Sequence, residues 1–335
     1  MTGAGSSFQA TQSLEAIVQA AGPHVPSLLA RVEERLAALA AGHGPVLAEP
    51  AAATIAAGGK RLRPLLVLLA AGLKPGNPDE LVAYAAAVEL VHSATLVHDD
   101  VLDDAHLRRG KPTVWAQGGR LLATATGDLL FSRAFAELAA TGRLESVRAL
   151  SRASSALAEG ELLQREDAWN ADVAVDRYLR RCELKTARLF EAACKLGALA
   201  AGRRPDEIAT LGSFGLRIGL AFQLLDDVLD VSGTAADTGK HRGTDILDGT
   251  MTLPLILARR RDREIAAVDV RSITTPEQAA ELCDRIEATG ATVDARARAL
   301  AIVVEAKALP ATLELDDGQR LALDLVADSV VDRHS

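Results

Sequence analysis

Apolar residues recur at helical spacing through most of this chain. Between residues 14 and 47, Leu28, Leu29, Val32, Leu36 and Leu39 fall three or four apart, the period of a single helix face. Gly22-Pro23 and the stretch 42–45 break that pattern, as Gly and Pro break helices generally. The most apolar run is 65–73. Further helices are predicted over 79–104, 127–138, 147–166, 177–199 and 206–231. A Gly/Pro turn at 202–205 and a polar loop at 233–249 separate them, and two or three more helices are expected beyond Pro254. Residues 1–12, small and polar, read as a disordered tail. Residues 13–335 read as a single domain, since no Pro/Gly/Ser-rich linker divides them.

Composition sharpens this to an all-α class. The 335 residues are 49% hydrophobic but only 3% aromatic, so the core must be built from Ala, Leu, Val and Ile, which suit close helix packing. A net charge of −8 argues against general nucleic-acid binding. Cys182, Cys194 and Cys283 form no CxxC spacing and read as reduced thiols of a cytoplasmic protein. The run 65–73 falls far short of the ~20 residues a membrane span needs, and the N-terminus lacks the pattern of a signal peptide. Loose membrane contact stays compatible with a mean hydropathy of +0.13.

Candidate chemistry starts at residues 96–112, Leu-Val-His-Asp-Asp-Val-Leu-Asp-Asp-Ala-His-Leu-Arg-Arg-Gly-Lys-Pro. On a helix Asp99 and Asp103 share one face, and Asp100 and Asp104 form a second pair about 100° round the axis. Stacked like charges repel. A lone Asp-Asp reads best as a solvated helix end, but here the flanks are apolar, which favours a cation site. The pattern returns in Phe222-Gln-Leu-Leu-Asp226-Asp227-Val-Leu-Asp230. Carboxylates without nearby Cys or paired His select a hard cation of the Mg²⁺ type, which bridges acidic side chains to phosphates. Gly58-Gly-Lys60-Arg61-Leu-Arg63-Pro64 places three cations before a helix start, a good diphosphate anchor.

These motifs together resemble the trans-type isoprenyl (polyprenyl) diphosphate synthases, over roughly residues 58–257. The resemblance implies an all-α, isoprenoid-synthase-type helical bundle around a central cavity, assembled as a homodimer. It implies two or three Mg²⁺ ions held by Asp99, Asp100, Asp103, Asp226, Asp227 and Asp230. Lys60, Arg63, His92 and Arg109 would bind isopentenyl diphosphate. Arg108, Lys185, Thr186, Gln223 and Lys240 would bind the allylic diphosphate, with Lys240 on a loop that closes over it. Gln164 and Glu161 are further candidates for the cavity wall, whereas His98 reads as a packed core residue. Short-chain members carry aromatics four or five residues before the first aspartate; here those positions are Ala94 and Thr95. With Val91 a turn deeper, they imply a floor open to products longer than fifteen carbons, of thirty or more. Phe131 or Phe135 on the next helix is an alternative floor and would give a geranylgeranyl (C20) product. One departure stands out: Asp248-Gly-Thr250-Met-Thr-Leu-Pro254 has threonine where many members have lysine.

Two rivals are weighed against this reading. A terpene cyclase of the same fold usually lacks the second Asp-Asp-x-x-Asp and needs aromatics to guide its cations. A non-catalytic partner subunit of a heteromeric synthase tends to lose the aspartates or the Gly-Gly-Lys-x-x-Arg motif, all of which are intact here.

Overall fold

The computed structural model describes residues 15–72, 76–108, 110–233 and 241–332. Its organising element is a long helix, α4 (Pro78–Leu102), whose start is set by local chemistry. Asn77 accepts from the backbone N–H of Asp79 at 3.0 Å and of Glu80 at 3.4 Å, Pro78 occupies the first helical position, and Asp79 and Glu80 sit in the first turn. The side chain satisfies two orphan donors, and the two acids complement the helix dipole. Downstream, α4 is apolar almost all round and buried over most of its length, the signature of a core helix.

Around it stand α1 (His24–Ala40), α2 (Pro45–Ala56), α3 (Leu62–Ala71), α5 (Val114–Ala140) and α6 (Leu144–Glu166). α1 buries Val25, Leu28, Val32 and Leu36, the predicted face, worth about 1.5–3 kcal/mol per large side chain. A second set consists of α7 (Val175–Cys182), a π-helical turn at Glu183–Ala187, α8 (Arg188–Ala200) and the 28-residue α9 (Pro205–Ser232). α4 packs chiefly on α5, and α9 chiefly on α8 and on α14 (Ala291–Ala308). One hydrophobic core runs from Ile17 to Val330 through both sets. Both tyrosines of the chain, Tyr84 and Tyr178, are fully buried in it.

Helix α9 approaches α8 closely because of its glycines. A Cβ on Gly215 would lie 2.5 Å from the Phe190 carbonyl oxygen, and one on Gly219 would lie 2.7 Å from Ala187 Cα. A backbone neighbour cannot rotate away, so the spacing of these two helices is fixed by the missing methyl groups.

Several elements differ from expectation. The helical segment labelled α5 starts at Val114 instead of 127, where Thr113 Oγ1 caps it by accepting from Ala116 N–H at 3.0 Å, and it is broken by a kink at Gly119, whose φ is +72°. A two-residue ribbon, β1 (Leu107–Arg108) paired antiparallel with β2 (Lys111–Pro112), follows the first aspartate motif. Beyond Pro254 five helices appear among the described residues: α11 (Leu253–Arg261), α12 (Arg263–Ala267), α13 (Pro276–Ala288), α14 and α15 (Asp317–Asp332), preceded by the short α10 (Thr244–Leu247). Asp262 and Thr275 cap two of them, dividing what reads in sequence as fewer segments. By length and composition α4 and α9 are also apolar enough to cross a membrane, although 72% and 50% of their most apolar windows are buried in the bundle. No long uncharged run signals this, since both helices carry acids at each end and a charge midway, Glu89 in α4 and Arg217 in α9. The expected tail, 1–12, lies outside the described residues.

Replacing Gly215 by Ala is expected to lower the unfolding free energy by about 1–3 kcal/mol through overpacking, measured by denaturant titration. An unchanged midpoint would mean that the α8–α9 spacing is compliant.

Candidate active site

The first aspartate motif ends α4. Asp99 is half-buried and Asp103 is the C-cap, one turn on, its N–H donating to the Asp99 carbonyl at 2.8 Å. The expected second pair does not form on the helix. Asp104 has φ +49°, so the chain leaves the helix between Asp100 and Asp104, and they do not stack. Asp100 is buried and accepts from Arg108 Nε at 2.8 Å, which ties the β1 ribbon to the helix end and holds Arg108 beside the aspartates.

On α9 the second motif is built differently. Asp227 is 3% exposed; Tyr178 Oη donates to one of its oxygens at 2.7 Å and Gln223 Nε2 to the other at 2.8 Å. Thr186 Oγ1 in turn donates to Gln223 Oε1 at 2.6 Å. This relay fixes the amide of Gln223 and the rotamer of Asp227 from the neighbouring helix. Asp230 is fastened to the loop that follows: its carboxylate accepts from Asp245 N–H at 3.2 Å, and its carbonyl from Gly243 N–H at 2.9 Å.

Lys185 and Thr186 lie in the π-helical turn. Such a turn adds one residue to the helix and is common at functional sites. Gly160 of α6 permits close contact there, since a Cβ on it would be 2.5 Å from the Lys185 nitrogen. Lys185 pairs with Glu161, while Arg165 reaches both Glu161, at 3.0 Å, and Asp103. Burial pushes the Asp99 carboxyl up to about 6, with Glu161 and Asp103 adding to the rise and Lys185 opposing it. Asp227 is raised for the same reason, burial, and Arg181 opposes the rise.

Asp103, Lys185, Thr186, Gln223 and Asp227 line one cavity of about 200 Å³, which Thr250 and Arg181 also line. The structure therefore brings together a member of each aspartate motif and the mid-helix Lys-Thr pair. Gln164 also lines this cavity. Lys60, Arg63 and His92 stand elsewhere. Lys60 is exposed, His92 and Arg63 are half-buried, and the Arg63 guanidinium lies 4.6 Å from the Phe190 ring centroid. The middle cation of that motif has a structural role, since Arg61 takes φ +47° and binds Glu33 at 2.6 Å and Glu89 at 2.9 Å. Val91 and Ala94 are 0% exposed, whereas Thr95 is half-buried on the same side as His92 and Asp99. His98 stacks on Phe131 at 5.8 Å. Arg109 and Lys240 lie outside the described residues.

Among the described residues no group of three or more His, Cys, Asp or Glu is close enough to hold a metal ion unaided. The donors fit a hard cation nonetheless. All are carboxylate oxygens, arranged in two separate sets, and Mg²⁺ is typically held by one or two carboxylates plus substrate phosphates. Tyr178, Arg165 and Arg181 were not singled out in sequence. A signal existed: Tyr178, Arg181 and Lys185 follow i, i+3, i+7 spacing, and only two tyrosines occur in the chain.

With this geometry in view, the family model described as polyprenyl synthetase matches residues 44–288, a span that includes both aspartate motifs and the Lys-Thr pair. The chain belongs to the polyprenyl synthetase family. Among the similar members is heptaprenyl diphosphate synthase component 2 of Geobacillus stearothermophilus, 40% identical over 274 residues, covering 79% of this chain and 85% of that one. A short chain isoprenyl diphosphate synthase of Methanothermobacter thermautotrophicus is 39% identical over 287 residues, covering 83% and 88%. The crystal structure of a decaprenyl diphosphate synthase from Rhodobacter capsulatus superposes with a TM-score of 0.87 at 34% identity, covering 96% of this chain and 99% of that one.

Tyr178→Phe keeps the ring and removes one donor to Asp227. In this polyprenyl synthetase it is expected to weaken binding of Mn²⁺, used as a probe with inorganic pyrophosphate, about 10- to 100-fold, and to cost about 1–3 kcal/mol of stability. Titration calorimetry and denaturant melts measure both, and parental Mn²⁺ affinity would remove Asp227 from the cation site.

Proposed function

We propose that this chain is a trans-prenyltransferase that condenses isopentenyl diphosphate head to tail with an allylic diphosphate, releasing a product of about thirty carbons or more. The observation that carries the reading is the single cavity where Asp103, Asp227 and Lys185 converge. Two acidic sets with cations between them match a diphosphate bridged to Mg²⁺, and the aspartates are read as metal ligands instead of a general acid/base pair.

When bound, two or three Mg²⁺ ions would neutralise charge on the departing diphosphate oxygens, the Lewis-acid role; Asp99, Asp103 and Asp226 would hold them, with Asp100, Asp227 and Asp230 in support. Lys185 and Arg108 grip the allylic diphosphate, joined by Lys240. Thr186, through Gln223, keeps Asp227 turned toward the ligand. Lys60, Arg63, His92 and Arg109 orient isopentenyl diphosphate so that its double bond meets the allylic carbon as the carbon–oxygen bond breaks. The apolar wall of α4 keeps water from the cation, and the proton goes to the released diphosphate.

Product length is read from α4. Neither Ala94 nor Thr95 is aromatic, and Thr95 is the half-buried one, so it controls the depth of the chain's path. Relatives named for seven- and ten-unit products agree with a long chain, while similar structures named as geranylgeranyl pyrophosphate synthases keep a C20 product as the alternative. We place the enzyme in the cytoplasm as a homodimer. The designation "component 2" of one relative supports a second reading, a subunit that works only with a partner, against which stand the intact aspartate and Gly-Gly-Lys-x-x-Arg motifs.

Incubation of the protein alone with Mg²⁺, farnesyl diphosphate and labelled isopentenyl diphosphate is expected to give products of about thirty carbons or more. Asp99→Ala should lower turnover by at least about 100-fold, as loss of a metal ligand does, and Thr95→Phe should shorten the products. No elongation by either parent or Asp99→Ala would overturn catalysis by this chain alone.

A further inference from the structure

Arg180 and Arg181 are adjacent but have opposite fates. Arg180 points outward to Glu183 at 3.0 Å and Glu159 at 3.6 Å, whereas Arg181 is 3% exposed. An arginine cannot shed its charge when buried, so each of its donors needs an acceptor. Nη2 donates to the Met251 carbonyl at 3.0 Å, and the guanidinium lies 5.1 Å from the Tyr178 ring centroid. Nη1 is buried and, among the described residues, meets no acceptor.

Arg181 lines the same cavity as Lys185 and Asp227. The other cations of that lining are paired directly, Lys185 with Glu161, and Arg165 with Glu161 and Asp103, whereas Arg181 acts on the Asp227 carboxyl through its field. Opposite Arg181 runs the loop Asp248-Gly-Thr250-Met251, which offers no cation to the cavity it helps to line. Arg181 touches this loop directly through Met251. Its charge thus arrives from α7 at the place where the loop has none, with a donor to spare.

We propose that Arg181 is a diphosphate-binding residue, whose Nη1 donates to an oxygen of the allylic diphosphate or of the inorganic pyrophosphate it leaves behind, supplying positive charge on the side where the 248–251 loop has none. The inference rests on reading this cavity as a diphosphate site. The planar guanidinium suits this role, because one nitrogen holds the loop carbonyl while the other faces the anion. A charge-assisted bond of this kind is short and strong.

The test is calorimetric titration of inorganic pyrophosphate with Mg²⁺ into the full-length protein, beside KM values for farnesyl and isopentenyl diphosphates. In Arg181→Gln, pyrophosphate affinity should fall about tenfold or more, as loss of a hydrogen bond to a charged group does. KM for farnesyl diphosphate should rise in parallel, while KM for isopentenyl diphosphate stays put. Adding Thr250→Lys to Arg181→Gln should restore much of the loss, because a cation returns from the loop side. Unchanged pyrophosphate affinity in Arg181→Gln would overturn the proposal. So would a loss that neither Thr250→Lys nor Arg181→Lys recovers, which would mark Arg181 as structural. If Arg181→Gln does not fold, Arg181→Met, which keeps the apolar stem and removes the charge, decides, with pyrophosphate affinity equal to the parent's overturning the proposal. The titration needs no turnover. Arg181-dependent binding without elongation would therefore retain this site and remove the synthase reading, and elongation with Arg181-independent binding would do the reverse.

Discussion

The structure depends on keeping carboxylates charged at the ends of helices that are otherwise apolar. α4 and α9 are core helices, and burial alone drives Asp99 and Asp227 toward their neutral forms. Each protein cation near them answers that cost: Arg108 to Asp100, Arg165 to Asp103, Arg181 toward Asp227, and Lys185 within the field of Asp99. The answer is partial, since raised carboxyls still favour a further positive charge. On the proposed reading, a cation brought with a diphosphate meets groups whose ionisation it completes.

Neutralisation by borrowed charge works only if the two acidic sets are held at a set spacing, and this falls to the small residues. Gly215 and Gly219 let α9 settle on α8, and Gly160 lets α6 settle on the π-helical turn. Three missing side chains thereby locate Lys185 and Asp227 relative to each other. The low aromatic content has the same meaning, because bulky core residues would hold these backbones apart.

Much of this was legible in the sequence. The aspartate motifs and the helices around them carry strong periodicity and unusual charge, and local spacing is enough to read them, while the Lys185-Thr186 pair is picked out by its resemblance to the family's motif. Position Asp104 was misplaced because a left-handed residue at a helix end leaves no mark when the residue is not glycine. Likewise Arg61, Arg181 and Tyr178 resemble ordinary helix residues; their roles come from Glu89, Met251 and Asp227, partners distant in the chain. Local pattern reports what a residue is, while its counter-charge is a matter of packing. Val91 and Ala94 show the same limit, since spacing placed them near the cavity but only packing distinguishes their full burial from the half-buried Thr95.

The π-helical turn carries one more consequence. A regular helix keeps a single phase, so a polar face at Tyr178, Arg181 and Lys185 would continue as a polar stripe through α8. One surplus residue at Glu183–Ala187 rotates everything after it by roughly 100°. The line that carries Lys185 then runs on through the buried Phe190, Ala193 and Gly197 instead of through Arg188 and Lys195, while Lys185 itself lines the cavity. The turn acts as a gear change along a single rod, allowing one continuous segment to serve solvent-filled space at one end and close-packed interior at the other.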